Sequence, residues 1–217
     1  MSLPWHRNVR VYVLISSIVL AAVVFLWTWY ATDDSSLRII YLTQYYGLLA
    51  FAYLYLALLI GPAVYSFHWL PARGHIYRAR RAVGFSAWIL AMLHANVAFW
   101  GELGGLSGWL ALPPVYLIAT TLSFTALVIL TLMAATSFDK MVQRLGMKRW
   151  KLLHRFIYLA SFLVLIHAIM IGPHFADMGS PVFRISFAGL VLLVWLEARR
   201  FAVFMRSVWH RPNMRKP

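Results

Sequence analysis

Charged side chains divide this chain into long uncharged stretches. Residues 11–32 carry none between Arg10 and Asp33, and residues 39–72 carry none between Arg38 and Arg73. Each stretch reaches the ~20 apolar residues that cross a ~30 Å hydrocarbon core. The first, 11–32, follows a basic N-terminus as a leader would, but it is too long for one and no small-residue cleavage pattern precedes Asp33, so it reads as a retained anchor. The second is too long for one helix, and Pro62 and Pro71 mark its far limit, which places a span at about 43–67. A third follows at 82–101. The Pro113-Pro114 pair opens a fourth at 114–137, since proline is favoured at a helix start, and a fifth covers 153–174. The sixth, 182–205, is broken by charge: only residues 185–196 are uncharged. Its flanks rescue it, because Arg184 can snorkel outward and Glu197 can pair with Arg199 or Arg200.

The pattern predicts an all-α integral membrane protein, a bundle of six transmembrane helices forming one domain over 1–217. Composition agrees: 62% of the 217 residues are hydrophobic, 12% are charged and the mean hydropathy is +0.73, which excludes a soluble globule. There is no cysteine, so disulfides, thiolate metal sites and iron–sulfur clusters are excluded, and any metal must rest on histidine or carboxylate. The formal charge of +14 would suggest nucleic acid in a soluble protein. Here it sorts by side. With six spans, eighteen of the twenty basic residues fall on the side of the N-terminus, and only Arg38 and Arg184 fall opposite, beside Asp33, Asp34, Glu102 and Asp177. By the positive-inside bias both termini are cytoplasmic and the chain is a multi-pass protein of the cell inner membrane, with the lipid bilayer as partner and no nucleic acid. No stretch outside the spans is long enough for a nucleotide-binding domain. Gly101, Gly104 and Gly105 lack the dinucleotide-binding spacing and read as turn residues.

The chemistry therefore lies among the helices. Of the eight histidines, His6 and His210 stand in the tails, His75 in a basic connection, and His68 and His174 near span ends. His94 and His167 differ, because each sits inside an uncharged run where a polar group needs a partner or a function. Counted from Arg81 and Arg155 at 1.5 Å per residue, they lie at roughly 20 Å and 18 Å, the same depth on two helices. Two imidazoles at one level can clamp one iron from opposite faces of a macrocycle, or can simply hydrogen-bond between helices. His154 precedes His167 by thirteen residues, about 140° from the same face of a straight helix. Arg80 precedes His94 by fourteen and is about 40° off its face. Arg80 and the adjacent Arg81 cannot ligate iron but can hold a heme propionate, or serve only as topological flanks.

The run Ala134-Ala135-Thr136-Ser137, Leu145-Gly146, Trp150-Lys151-Leu152-Leu153-His154-Arg155, Tyr158 and His167 resembles the heme-bearing helix of the ferric reductase-like transmembrane family. The run Arg80-Arg81-Ala82-Val83-Gly84 to Leu93-His94 resembles its partner helix, and the nearest likeness is to the heme-binding membrane subunit of bacterial periplasmic methionine sulfoxide reductase systems. The resemblance covers spans two to five. It implies a six-helix bundle carrying b-type heme, with motif histidines at His94, His154 and His167. More distant members usually have a further histidine where this chain has Arg80, and the basic-proline-aromatic stretch before span four is here Leu112-Pro113-Pro114-Val115-Tyr116.

The expected function is a heme b electron-transfer subunit rather than an enzyme in its own right. It would take electrons from a cytoplasmic flavin or flavin reductase and pass them to an outer reductase subunit. One heme is expected at His94 and His167, and a second would rest on His154, either with His68 or His75 as its partner or five-coordinate. FMN would be a further cofactor, though no motif specifies it. The rivals are a ferric or quinone reductase acting directly on a diffusible acceptor, and a heme-free transporter or assembly scaffold.

Overall fold

The computed structural model describes residues 9–67 and 69–209. His6, His68 and His210, and the terminal basic residues Arg7, Arg211, Arg215 and Lys216, lie outside them. Among the described residues all regular structure is helical, and six helices are long and apolar enough to cross a membrane. Helix α1 spans Val9–Ala31, α2 Ser35–Ser66 and α3 Arg73–Asn96, which continues as a wider π-helical turn over Val97–Glu102. A short α4 (Leu106–Leu110) leads to α5 (Pro114–Ala135), α6 (Asp139–His154), α7 (Ile157–Ile171), the single turn α8 (Pro173–Ala176) and α9 (Pro181–Trp209).

The helix starts have local causes. Asp34 caps α2, its Oδ1 accepting the Ser36 and Leu37 N–H groups at 2.7 and 2.9 Å. Pro114 occupies the first turn of α5, where its missing N–H costs nothing. Uncharged runs locate the spans but miss the helical ends beyond the lipid. Helix α2 begins at Ser35 rather than near 43, so it is about 48 Å long and outreaches the hydrocarbon. The basic segment from Arg73 to Arg81, expected as a connection, is the first part of α3, and the basic segment after Ser137 is α6, two helical pieces that meet in a kink at Gly146, where φ is 74°. Charge excludes a segment from lipid, not from helix. Gly101 lies in the π-helical turn rather than a loop, whereas Gly104 and Gly105 take the positive φ of a turn.

Two helix pairs form the bundle: α2 with α3, and α5 with α7. Helix α1 packs on α3, and α9 on α2. The core between the pairs contains Leu54, Leu58, Ala87, Ala126, Leu130 and Ala160, all buried. The outer faces are apolar too, with Phe124, Phe162, Ile185 and Val194 more than half exposed, as expected of a surface solvated by lipid. Trp27, Trp29 and Tyr30 end α1 with the Arg38 guanidinium 4.1 Å from the Trp29 ring, an arrangement suited to a headgroup boundary. Most basic side chains gather where α3 begins and α6 lies, here termed the basic end; the opposite end carries Asp33, Asp34, Glu102 and Asp177.

Candidate functional site

His94 comes from the last turn of α3 and His167 from α7, and the two helices belong to different pairs. Their rings face each other with centroids 6.2 Å apart and planes at 77°. Each is held from behind. His94 Nδ1 lies 2.8 Å from the Thr43 carbonyl of α2, and His167 Nδ1 lies 3.0 Å from the Ala119 carbonyl of α5. A carbonyl only accepts, so Nδ1 is the protonated nitrogen in both rings, and in a neutral imidazole Nε2 then carries the lone pair. Neither Nε2 has a hydrogen-bond partner among the described residues. This is the arrangement of metal-ligating histidines, whose second nitrogen is fixed by an outer acceptor.

Both rings line a cavity of about 710 Å³ that runs from mid-bundle to the far end. Its floor is Leu54, Ala87 and Leu130 of the core, and its upper walls come from α2 around Ile40 to Gly47, the beginning of α5, the π-helical turn, and α8. The volume lies within the roughly 300–1,000 Å³ of cofactor and ligand pockets. The ring separation can be tested against a shared metal: two metal–nitrogen bonds of about 2.0 Å and about 1.1 Å from each nitrogen to its ring centre place the centroids about 6.2 Å apart. The separation thus fits two imidazoles, one from each helix pair, that would share the iron of a flat macrocycle.

The common depth expected of His94 and His167 is therefore found as direct juxtaposition. Interhelical hydrogen bonding, the alternative role, is present as well, but it uses Nδ1 and leaves Nε2 facing the cavity. A residue missed in the sequence makes this approach feasible: Gly47 of α2 lies under His94, and a Cβ there would stand 2.9 Å from Nδ1. Only the pairing of α2 with α3 reveals it.

The other three candidates gather elsewhere. His154 is the last residue of α6, and the chain passes into α7 through Arg155 and Phe156, both of right-handed helical φ/ψ; the break in this stretch lies earlier, at Gly146. The His154 ring lies 4.2 Å from that of Trp150, and its Nε2 is 3.4 Å from Thr136 Oγ1. The cavity of His94 and His167 does not reach it. Arg80 donates from Nε to the Ala57 carbonyl at 3.0 Å and lays its guanidinium over Gly61. Arg81 donates to Asp139 Oδ1 at 2.6 Å and sits 5.1 Å from the Trp150 ring, so Arg81, Trp150 and His154 form one stack at the basic end. Asp139, exposed beyond the membrane, also lies 3.7 Å from Arg10, and these two guanidiniums, Arg81 foremost, hold its carboxyl below the usual range.

Comparison with known proteins places this geometry. A stretch of 94 residues, 42% of the chain, is 36% identical to the protein-methionine-sulfoxide reductase heme-binding subunit MsrQ of Polaromonas naphthalenivorans, of which it covers 41%. The subunit of the same name from Herminiimonas arsenicoxydans is 32% identical over 55% of the chain and 55% of its own length. The magnetosome protein MamZ of Paramagnetospirillum magneticum is 30% identical over 71% of the chain, which corresponds to 23% of that longer protein. The chain thus spans about half the length of the sulfoxide reductase subunits it matches. Residues 46–166, from within α2 to the middle of α7, match the ferric reductase like transmembrane component; the match includes His94 and His154 and ends one residue before His167, and the chain belongs to that family.

Proposed function

We propose that this chain is a heme b electron-transfer subunit of the cell inner membrane, with His94 and His167 as the axial ligands. The observation that carries the reading is their 6.2 Å separation across a cavity, with each Nδ1 tied to a backbone carbonyl. A bound heme supplies a one-electron couple that needs no proton or group transfer. The chain's own part is to fix both imidazoles in one tautomer, to enclose the macrocycle in apolar walls, and to keep water from its faces.

The basic end supports a cytoplasmic placement of both termini by the positive-inside bias, which puts the His94 and His167 site nearer the outer surface. Electrons then enter from a cytoplasmic flavin or flavin reductase and leave to an outer reductase subunit; the relatives named as heme-binding subunits of a protein-methionine-sulfoxide reductase support a reductase partner. With the inside negative, each electron moving outward gains up to about 2.3 kcal/mol per 100 mV crossed, so no coupling ion is needed.

The test is an optical spectrum of the chain purified from heme-replete cells. Low-spin bis-imidazole bands of non-covalent heme b are expected, and His94→Ala or His167→Ala should abolish them while the helical content persists. A parental protein without heme absorbance would return the chain to the transporter or scaffold class. Rapid reoxidation of the reduced protein by ferric chelates or quinones, with no outer protein present, would make it a direct reductase.

A further inference from the structure

The same cavity contains a third histidine that the ligand pair does not use. His174, in the single turn α8, lines the far end of the space shared by His94 and His167, and its Nε2 is fully buried without a hydrogen-bond partner among the described residues. Its main chain is pinned, since its carbonyl accepts from Ser180 Oγ at 3.0 Å. A buried ring nitrogen left unpaired is unfavourable unless a ligand or water meets it.

The cavity's polarity indicates which ligand group would. A heme b has two carboxylates, which cannot stay at mid-membrane and must turn toward the nearer aqueous boundary. The floor at Leu54, Ala87 and Leu130 is closed and apolar, so the carboxylate edge faces the far end. Among the cavity's described lining residues there is no lysine and no arginine. Glu102 stands in the same wall, but a carboxyl brings no positive charge in either protonation state. Trp109 Nε1 is already spent on Thr120 Oγ1 at 2.8 Å, and Asn96 Nδ2 on the Met92 carbonyl. Gln44, Trp100 and Tyr116 also line the cavity but carry no charge, so among the described lining residues His174 is the only side chain, apart from the two ligands, that can bring a positive charge to an anion.

We propose that His174 binds a propionate of the heme held by His94 and His167, donating from Nε2. The proposal rests on the ligand assignment above and adds a cofactor-binding residue to it. It also separates the two ends of the bundle, because the arginines expected to hold propionates, Arg80 and Arg81, are engaged with Ala57 and Asp139 at the basic end.

The full chain, in detergent, is loaded either with heme b or with its dimethyl ester, and release to excess apomyoglobin is followed optically. In the parent the ester should leave about tenfold faster than heme b, the scale of one hydrogen bond to a charged group. In His174→Ala, and in His174→Leu, which keeps more of the side-chain volume, the two should leave at equal rates, with the bis-imidazole spectrum retained. A parent that releases both at one rate overturns the proposal without any variant. So does a variant that still favours heme b tenfold. A parent lacking bis-imidazole bands overturns the ligand assignment itself, whereas normal bands with an unchanged release ratio overturn only the role of His174.

Discussion

Gly47 of α2 carries no side chain where the imidazole of His94 rests, and fourteen residues further along α2 Gly61 does the same beneath Arg80, itself fourteen residues before His94. The α2–α3 contact therefore repeats after about four turns, with a histidine at one level and an arginine at the other. A Cβ at Gly61 would stand 3.1 Å from Arg80 Nη1, close to the 2.9 Å found at Gly47. The lower level is built on the plan of the upper one, but its α3 residue cannot ligate iron.

The two glycines should respond differently to alanine. Inside a helix the change alone favours folding by about 0.5–1 kcal/mol. At Gly61 the added methyl meets the end of a flexible side chain, so Gly61→Ala should leave stability and spectrum near parental. At Gly47 it meets a ring whose Nδ1 is bound to Thr43, and the ring cannot yield without losing that bond. Gly47→Ala should displace His94 and lower heme occupancy severalfold, read as the heme-to-protein absorbance ratio. Equal occupancy in the two variants would show that the contact under His94 is not limiting.

His154 should be separable from the upper pair. Its ring lies against Trp150 at the end of α6, and the cavity does not extend to it. His154→Ala is expected to leave the His94–His167 component of the reduced spectrum unchanged in position, whatever is lost at the basic end. Loss of that component, with the protein still inserted, would mean that the two levels share one site.

The parts of this arrangement legible in the sequence are those set by the membrane. Uncharged runs are dictated by lipid, so six spans could be counted, and equal distances from flanking arginines put His94 and His167 at one depth. What stayed hidden depends on neighbours. Nothing in the chain around Thr43 or Ala119 announces a carbonyl placed to orient a histidine, and Gly47 is an ordinary helix residue until α3 is laid against it. The amphipathic α6 was obscured for a different reason. Its charges exclude it from lipid and so mimic a loop, although lysine, arginine and leucine are all good helix formers.

Asp139 supplies a pH dependence. It is approached by Arg10 of α1 and Arg81 of α3 and sits on α6, so its charge ties three helices at the basic end. Its carboxyl is held below the ordinary range in the fold, so the contribution is complete above the ordinary aspartate pKa and disappears as pH falls through the lowered value. Thermal unfolding of the parent and of Asp139→Asn should differ near neutral pH and converge in acid. The gap should also narrow in high salt, because the pair is exposed. A gap that persists at low pH would assign the effect to packing rather than charge.

The exposed face of α6 offers the sharpest test of how electrons arrive. Lys140 and Arg144 before the kink at Gly146, and Lys148 and Arg149 after it, are all exposed, and Trp150, next in the chain, lies against both Arg81 and His154. A flavin phosphate, or an acidic patch on a soluble reductase, would be steered to this surface at a rate that depends on ionic strength. Topology alone also demands positive charge here, so the two roles must be separated by function. Replacing Arg144 and Lys148 by glutamine leaves many basic residues to orient the chain. In the correctly inserted variant, heme reduction by the soluble donor should slow severalfold at low salt and approach the parental rate near 1 M, where the screening length falls to about 3 Å. A variant reduced at the parental rate at every salt concentration would confine these charges to insertion.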